Sequence, residues 1–201
     1  MSKPKPKPPK EIRDAVCREL YRQANALDWD LLGDNQKTEQ YSLWVDDPAV
    51  GGELADYLTA EGIRVWLKDG PMKEYMRALE GVGLYAEYAM KRFQEIGDTL
   101  RDALGPQWRT VSGTRREKPM HLDITDDAVR RYMCWGQPHT FRDLLWAAVG
   151  QAIQTTVRPL ILVTLREGRS LDADERLFQD RVAEHCGIDL VRVTRPLVDR
   201  V

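Results

Sequence analysis

The chain has 201 residues, enough for one domain or one domain with an extension, and 42% hydrophobic against 31% charged residues exclude global disorder. A formal net charge of -2 excludes a wholesale cationic coat for nucleic acid, though it leaves room for a local basic face. Three widely spaced cysteines without a CxxC pair speak for a reducing, cytoplasmic compartment and against a disulfide framework or a structural zinc site.

Residues 1–10 alternate Lys and Pro and read as an extended arm, either a basic contact for phosphates or a solubilising tail. No apolar run approaches the ~18 residues of a membrane span, and no apolar h-region follows the basic start, so neither a membrane role nor a secretory signal is expected. From Glu11, the spacing of Ile12, Ala15, Val16, Leu20, Ala24 and Leu27 predicts a helix. The polar stretch 28–40 reads as a loop. Asp47 and Pro48 then form an N-cap and first helical residue, and Gly62 closes that helix. "IRVWL", 63–67, reads as a strand, followed by a KDGP turn and a long helical region from Pro71 to Leu104, interrupted at Gly81 and Gly83.

Gly105-Pro106 marks a boundary between a mainly helical region, 11–105, and an α/β core, 106–201. "WRTVS" and "MHLDIT" predict two strands joined by the basic turn GTRREKP, and "VRRYMCW" a third. Thr140 and Asp143 suggest a capping box opening a helix whose buried face holds Phe141, Leu144, Leu145, Ala148, Val149 and Ala152. "PLILVTL" is almost wholly apolar, as a strand covered on both faces should be. A helix from Ser170 and Asp172, with Leu177, Phe178 and Val182 inward, ends at Cys186-Gly187, and "IDLVRV" is the last strand. The expected class is α/β, a layered mixed sheet flanked by helices with a mainly helical N-terminal half.

Several chemistries are absent. There is no GxxxxGK[ST] phosphate loop, no GxSxG elbow and no HExxH, and none of the three His has ligand spacing. Cys134 with His139 as base is one conceivable nucleophilic pair, but Gly-Gln-Pro explains the stretch as a turn feeding a helix, and Cys134 reads as a buried apolar residue.

The order helix, strands, helix, strands over residues 73–195 resembles the restriction-endonuclease-like core of the PD-(D/E)XK nucleases. That resemblance implies that Asp123 in "HLDIT" is a metal-binding carboxylate and that the next strand carries D/E-x-K. Here that strand reads VRRYMCW, with neither acid nor Lys, and no Lys beyond the tail has an acid two residues before it. Two-carboxylate catalysis needs paired acids around Mg²⁺ and a nearby cation, so a degenerate, non-catalytic core is expected, with Mg²⁺ relevant only if nuclease activity were retained and no other cofactor.

Arg109, Arg115, Arg116 and Lys118 fall on one hairpin, with Arg130 and Arg131 close behind and Trp108 and Trp135 flanking. Arginine with aromatics suits phosphates and stacked bases. The bland alternative is a solvated turn whose arginines pair with neighbouring acids. Lys68 and Lys73 around a strand-to-helix turn suggest a second, anion-binding site. The function expected is a nucleic-acid-binding component of a processing complex, for example in bacterial defence or repair. The alternatives are a protein-interaction module or a small-anion binder. Oligomeric state is not legible.

Overall fold

The computed structural model describes residues 6–199 and divides into two compact units. One runs to Phe93 and takes back the chain from Leu197; the other spans Gln94–Pro196. The first five residues of the expected Lys/Pro arm lie outside the described residues.

The first unit is helical. Helix α1 (Lys10–Ala26) buries Val16, Cys17, Leu20, Tyr21 and Ala24. The stripe is therefore turned toward Cys17 and Tyr21, leaving Ala15 exposed and Leu27 39% exposed. The stretch expected to be a loop holds a 3-10 turn (Trp29–Leu31) and helix α2 (Asp34–Asp46). Only Tyr41 and Trp44 are buried on α2, so its sequence carries almost no apolar stripe. Both pack with Trp29 in an aromatic cluster with ring centroids 4.9–5.8 Å apart. Trp44 Nε1 donates to Gln23 Oε1 at 2.8 Å, which satisfies the indole as burial requires.

Asp47 caps the following turn as expected, accepting from Ala49 N at 2.7 Å with Pro48 behind it. The predicted strand at 63–67 is instead helix α3 (Ala60–Asp69). Thr59 caps it by accepting from Gly62 N, and Ile63 and Leu67, one turn apart, are the buried pair. The long helical region beyond breaks into α4 (Tyr75–Leu79), strand β1 (Lys91–Phe93) and α5 (Ile96–Leu104). Tyr21 joins the ends of this unit, meeting the Tyr75 ring edge-on at 5.3 Å and donating to Pro71 O at 2.7 Å.

The second unit is the α/β core, and it begins with α5 rather than at residue 106, because Ile96 and Leu100 of α5 are buried against the sheet. Strands β2 (Arg109–Thr110) and β3 (Arg116–Glu117) both pair antiparallel with β4 (Met120–Thr125), as two parts of one interrupted edge. Then follow β5 (Arg130–Gly136), helix α6 (Phe141–Gln154), β6 (Leu160–Leu165), helix α7 (Ala173–His185) and β7 (Asp189–Thr194). The sheet runs β2–β4–β5–β6–β7, with β5, β6 and β7 parallel and β4 antiparallel to its neighbours. A last strand, β8 (Leu197–Asp199), pairs with β1 in the first unit, so "IDLVRV" is not the final strand.

The sheet has two cores. Leu122, Ile124, Met133, Trp135, Leu160 and Leu162 pack with α5 on one face. Cys134, Ile161 and Val163 pack with Phe141, Leu144 and Ala148 of α6 and Ala183 of α7 on the other. Strand β6 contributes to both, which is why it is apolar but for Thr164.

Two helix details differ from expectation. Thr140 makes no side-chain cap; its hydroxyl donates back to Gln137 O at 2.8 Å within a 3-10 turn. Helix α7 is capped by Asp172 as expected, accepting from Asp174 N and Glu175 N, but Leu177 and Phe178 face outward and Gln179 and Ala183 inward.

Candidate nucleic-acid interface

The basic hairpin is built on β4, whose alternation decides where each arginine goes. Leu122 and Ile124 point to the α5 face, so His121, Asp123 and Thr125 point to the other. Directly paired residues share a side. Arg109 pairs with Thr125, which pairs with Arg130, and Arg116 pairs with His121. Arg109, Arg116 and Arg130 therefore stand on the face away from α5, and all three are exposed. Lys118, also exposed, sits at the turn into β4 before Pro119.

This face is partly neutralised from within. Arg130 clasps Asp123 Oδ2 through Nε at 2.9 Å and Nη2 at 2.5 Å, and Arg109 ion-pairs with Asp127. Arg116 Nη1 bonds the carbonyls of Arg115 and Gly113 at 2.8 and 3.2 Å. Exposed pairs of this kind contribute little to stability. Asp127 holds a left-handed turn (φ 75°), while Asp126 Oδ1 accepts from Ala128 N and Val129 N and fixes the β4–β5 loop.

The other expected members serve the fold. Trp135 is 1% exposed, in the α5-side core, and is not available to stack on a base. Arg115 lies over its ring, 5.7 Å from the centroid, as a cation–π lid on the core. Arg131 stands over Trp108 at 5.8 Å, donates to Asp189 Oδ2 at 2.6 Å and to Arg158 O at 3.1 Å, and is largely buried. Its partner Trp108 was legible as an aromatic near the arginines, but that Arg131 serves Trp108 follows only from its pairing with Ile124, which turns it to the α5 face.

Between β2 and β3, residues 111–115 stand opposite only two residues of β4 and so bulge, although Val111 N donates to Asp123 O at 2.8 Å and Thr114 Oγ1 accepts from Asp123 N at 2.9 Å. A cleft of about 400 Å³ opens between this bulge and the start of α5, lined by Glu95, Asp98, Arg101, Thr110 and Arg115 among others. It mixes both charges, and Arg101 is paired with Asp98.

Asp123, the expected metal carboxylate, is engaged by Arg130, and His121, on the same face, stacks on Tyr132 at 5.1 Å. Among the described residues no group of three or more His, Cys, Asp or Glu is placed to hold a metal ion. Cys134 is fully buried, its thiol donating to Leu144 O at 3.5 Å, and burial pushes the thiol up to about 12, whereas His139 is exposed. Lys68 and Lys73 do not gather at a helix N-terminus. Lys68 lies in the last turn of α3, where a cation complements the negative end of the helix, and Lys73 is exposed in the loop before the five-residue α4. The strand-to-helix turn on which the expected anion site rested is absent, because 63–67 lies within helix α3.

Among the described residues no helix is long and apolar enough to cross a membrane. No protein-family model matches the chain, and no solved structure matches it. Curated proteins that match include the UDP-3-O-acyl-N-acetylglucosamine deacetylases of Brucella ovis, Brucella canis and Brucella suis. Each is 26% identical over 150 residues, covering 65% of this chain and 51% of the matched protein. The chain thus spans about half the length of the curated proteins it matches.

Proposed function

We propose that the chain binds nucleic acid through the β2–β5 edge of its α/β unit, as a nuclease-like fold that binds without the standard metal site. The observation that carries this reading is that Arg109, Arg116 and Arg130 share one exposed face, with Lys118 beside them. Arg109 and Arg130 stand two strand spacings apart across β4, ~10 Å, and Arg116 lies four β4 residues further along, ~13 Å, so their guanidinium forks suit separate backbone phosphates. The succession of α5, β2 to β5, α6 and β6 supports the resemblance by its helix, strands, helix, strand order, with α7 inserted before β7. Where that core would hold a metal, Asp123 answers to Arg130. The deacetylase similarity, at 26% identity over half of those proteins, does not carry their activity to this chain. A role in bacterial defence or repair would follow from the nuclease-like reading and rests on it.

Fluorescence anisotropy with labelled single- and double-stranded DNA and RNA, at low and physiological salt and with and without Mg²⁺, tests the reading. Salt-sensitive binding is expected, because neutralised phosphates release counterions. The variant R116E/K118E should weaken it at least about tenfold with little change in melting temperature, since both side chains are exposed. Binding that survives this variant would remove the edge as the footprint. Cleavage in Mg²⁺ would show a working active site elsewhere.

A second reading is favoured by α6, whose Trp146 and Ile153 are 80% and 81% exposed. Exposed aromatics and aliphatics on one helix suit a protein partner, and binding insensitive to salt would point there.

A further inference from the structure

Helix α7 carries a feature that nucleic-acid binding does not use. Its underside is polar. Arg192 of β7 reaches up to Asp180 Oδ1 at 2.7 Å, Gln179 Oε1 at 3.1 Å and Arg176 O at 3.2 Å, and Gln179 is fully buried. This arrangement turns the two large apolar residues of the helix away from the sheet. Leu177 is 49% and Phe178 58% exposed.

The charges around that pair form a pattern. Asp174 lies three residues before Leu177, and Arg181 three residues after Phe178, so all four fall at i, i+3, i+4 and i+7 on one helical face. Both charged residues are exposed, and among the described residues neither side chain has an ion-pair or hydrogen-bond partner. Read in either direction along the helix, the face presents a charge, two apolar side chains and the opposite charge. It is complementary to itself when reversed.

We propose that this face is a homodimer contact, with a second copy of the chain docked antiparallel on α7. A two-fold axis midway between Leu177 and Phe178 sets Asp174 against the partner's Arg181 and Leu177 against the partner's Phe178, and each contact occurs twice. That is the isologous arrangement a cyclic dimer requires. The occupant is a second copy rather than another protein because the charge order matches itself. The α6 face fails the same comparison: Arg142 and Asp143 sit together at its N-terminal end, while the last turn holds Gln151 and Gln154, so reversal brings no opposite charges together.

Sedimentation velocity on the full chain tests the contact. The wild type should show a concentration-dependent monomer–dimer equilibrium. D174R places Arg against Arg and R181D places Asp against Asp, so each alone should weaken self-association at least about tenfold. An equimolar mixture of D174R and R181D should form a heterodimer, because every facing charge is again opposite, and that recovery also shows both variants to be folded. The double variant D174R/R181D should dimerise as the wild type does. W146S should leave the dimer intact. A wild type that stays monomeric at its highest soluble concentration would overturn the proposal. So would single variants that dimerise normally, or a mixture that does not recover.

Discussion

At the scale of single residues, burial decides which of the eye-catching side chains are reactive. Cys134 is one half of the nucleophilic pair that the sequence offers with His139, but its thiol is enclosed by the α6-side core, and burial pushes it from its ordinary 9.0 up to about 12. Cys17 is held up to about 12 by burial and by Asp14. A thiol must ionise to attack, so neither reacts at pH 8 in the folded protein. An aromatic disulfide reagent should titrate only Cys186, which is partly exposed, in the native protein and all three in denaturant. A second fast equivalent without denaturant would show that the core around Cys134 or Cys17 opens on its own, and a third that both do. The same shifts have a consequence for stability. A group whose folded pKa is raised contributes stability that is complete below its unfolded value and is lost as pH climbs to the folded one. Both thiols therefore favour unfolding between pH 9 and about 12, and substitution of either should flatten the alkaline loss.

At the scale of elements, α6 shows what periodicity conveys. Phe141, Leu144 and Ala148 are buried as their spacing indicates, and Leu145 and Val149 are only partly so. Leu144→Ala should cost roughly 2–5 kcal/mol in urea denaturation, as for other enclosed leucines. Leu145→Ala should cost clearly less, and W146S should stay within about 0.5 kcal/mol because that indole is 80% exposed. Equal losses at 144 and 145 would mean the helix is rotated from the placement described. The strands MHLDIT and LILVTL were legible because alternation and a nearly unbroken apolar run are direct records of one-sided and two-sided burial. Helices α2 and α3 were not. The α2 segment is anchored by two aromatics in a polar run, and IRVWL alternates like a strand while also placing Ile63 and Leu67 one turn apart; the flanking Thr59 cap settles it. Helix α7 was oriented wrongly from sequence because Leu177 and Phe178 look like core, and only Arg192, reaching across from β7, turns its polar side inward. The basic site was legible as a cluster of residues, but not its division between two faces of a sheet, which depends on the register of β4 against β5.

At the scale of the whole molecule, the chain leaves its first unit at Phe93, builds the α/β unit and returns. Sequence punctuation at Gly105-Pro106 misplaces the boundary because α5 looks like a continuation of the helical half, although its Ile96 and Leu100 belong to the sheet's core. The return was invisible, since a three-residue strand has no period to read. It is nonetheless structural: Leu197, Val198 and Asp199 pair with Phe93, Arg92 and Lys91, and Leu197 packs on the helical core. Removing residues 197–201 strips β1 of its only strand partner among the described residues and of the Leu197 contact. An unpaired three-residue strand cannot hold its backbone groups out of water at no cost, so the loss should fall on the first unit. The two units have separate cores, and such units unfold as partly independent cooperative segments. Amide exchange in the truncated chain should therefore quicken in α1, α3 and α4, while β5 and β6, at the centre of the sheet, keep their protection. Uniform loss of protection across both units would instead show that they unfold as one, with the C-terminal strand holding the whole chain together.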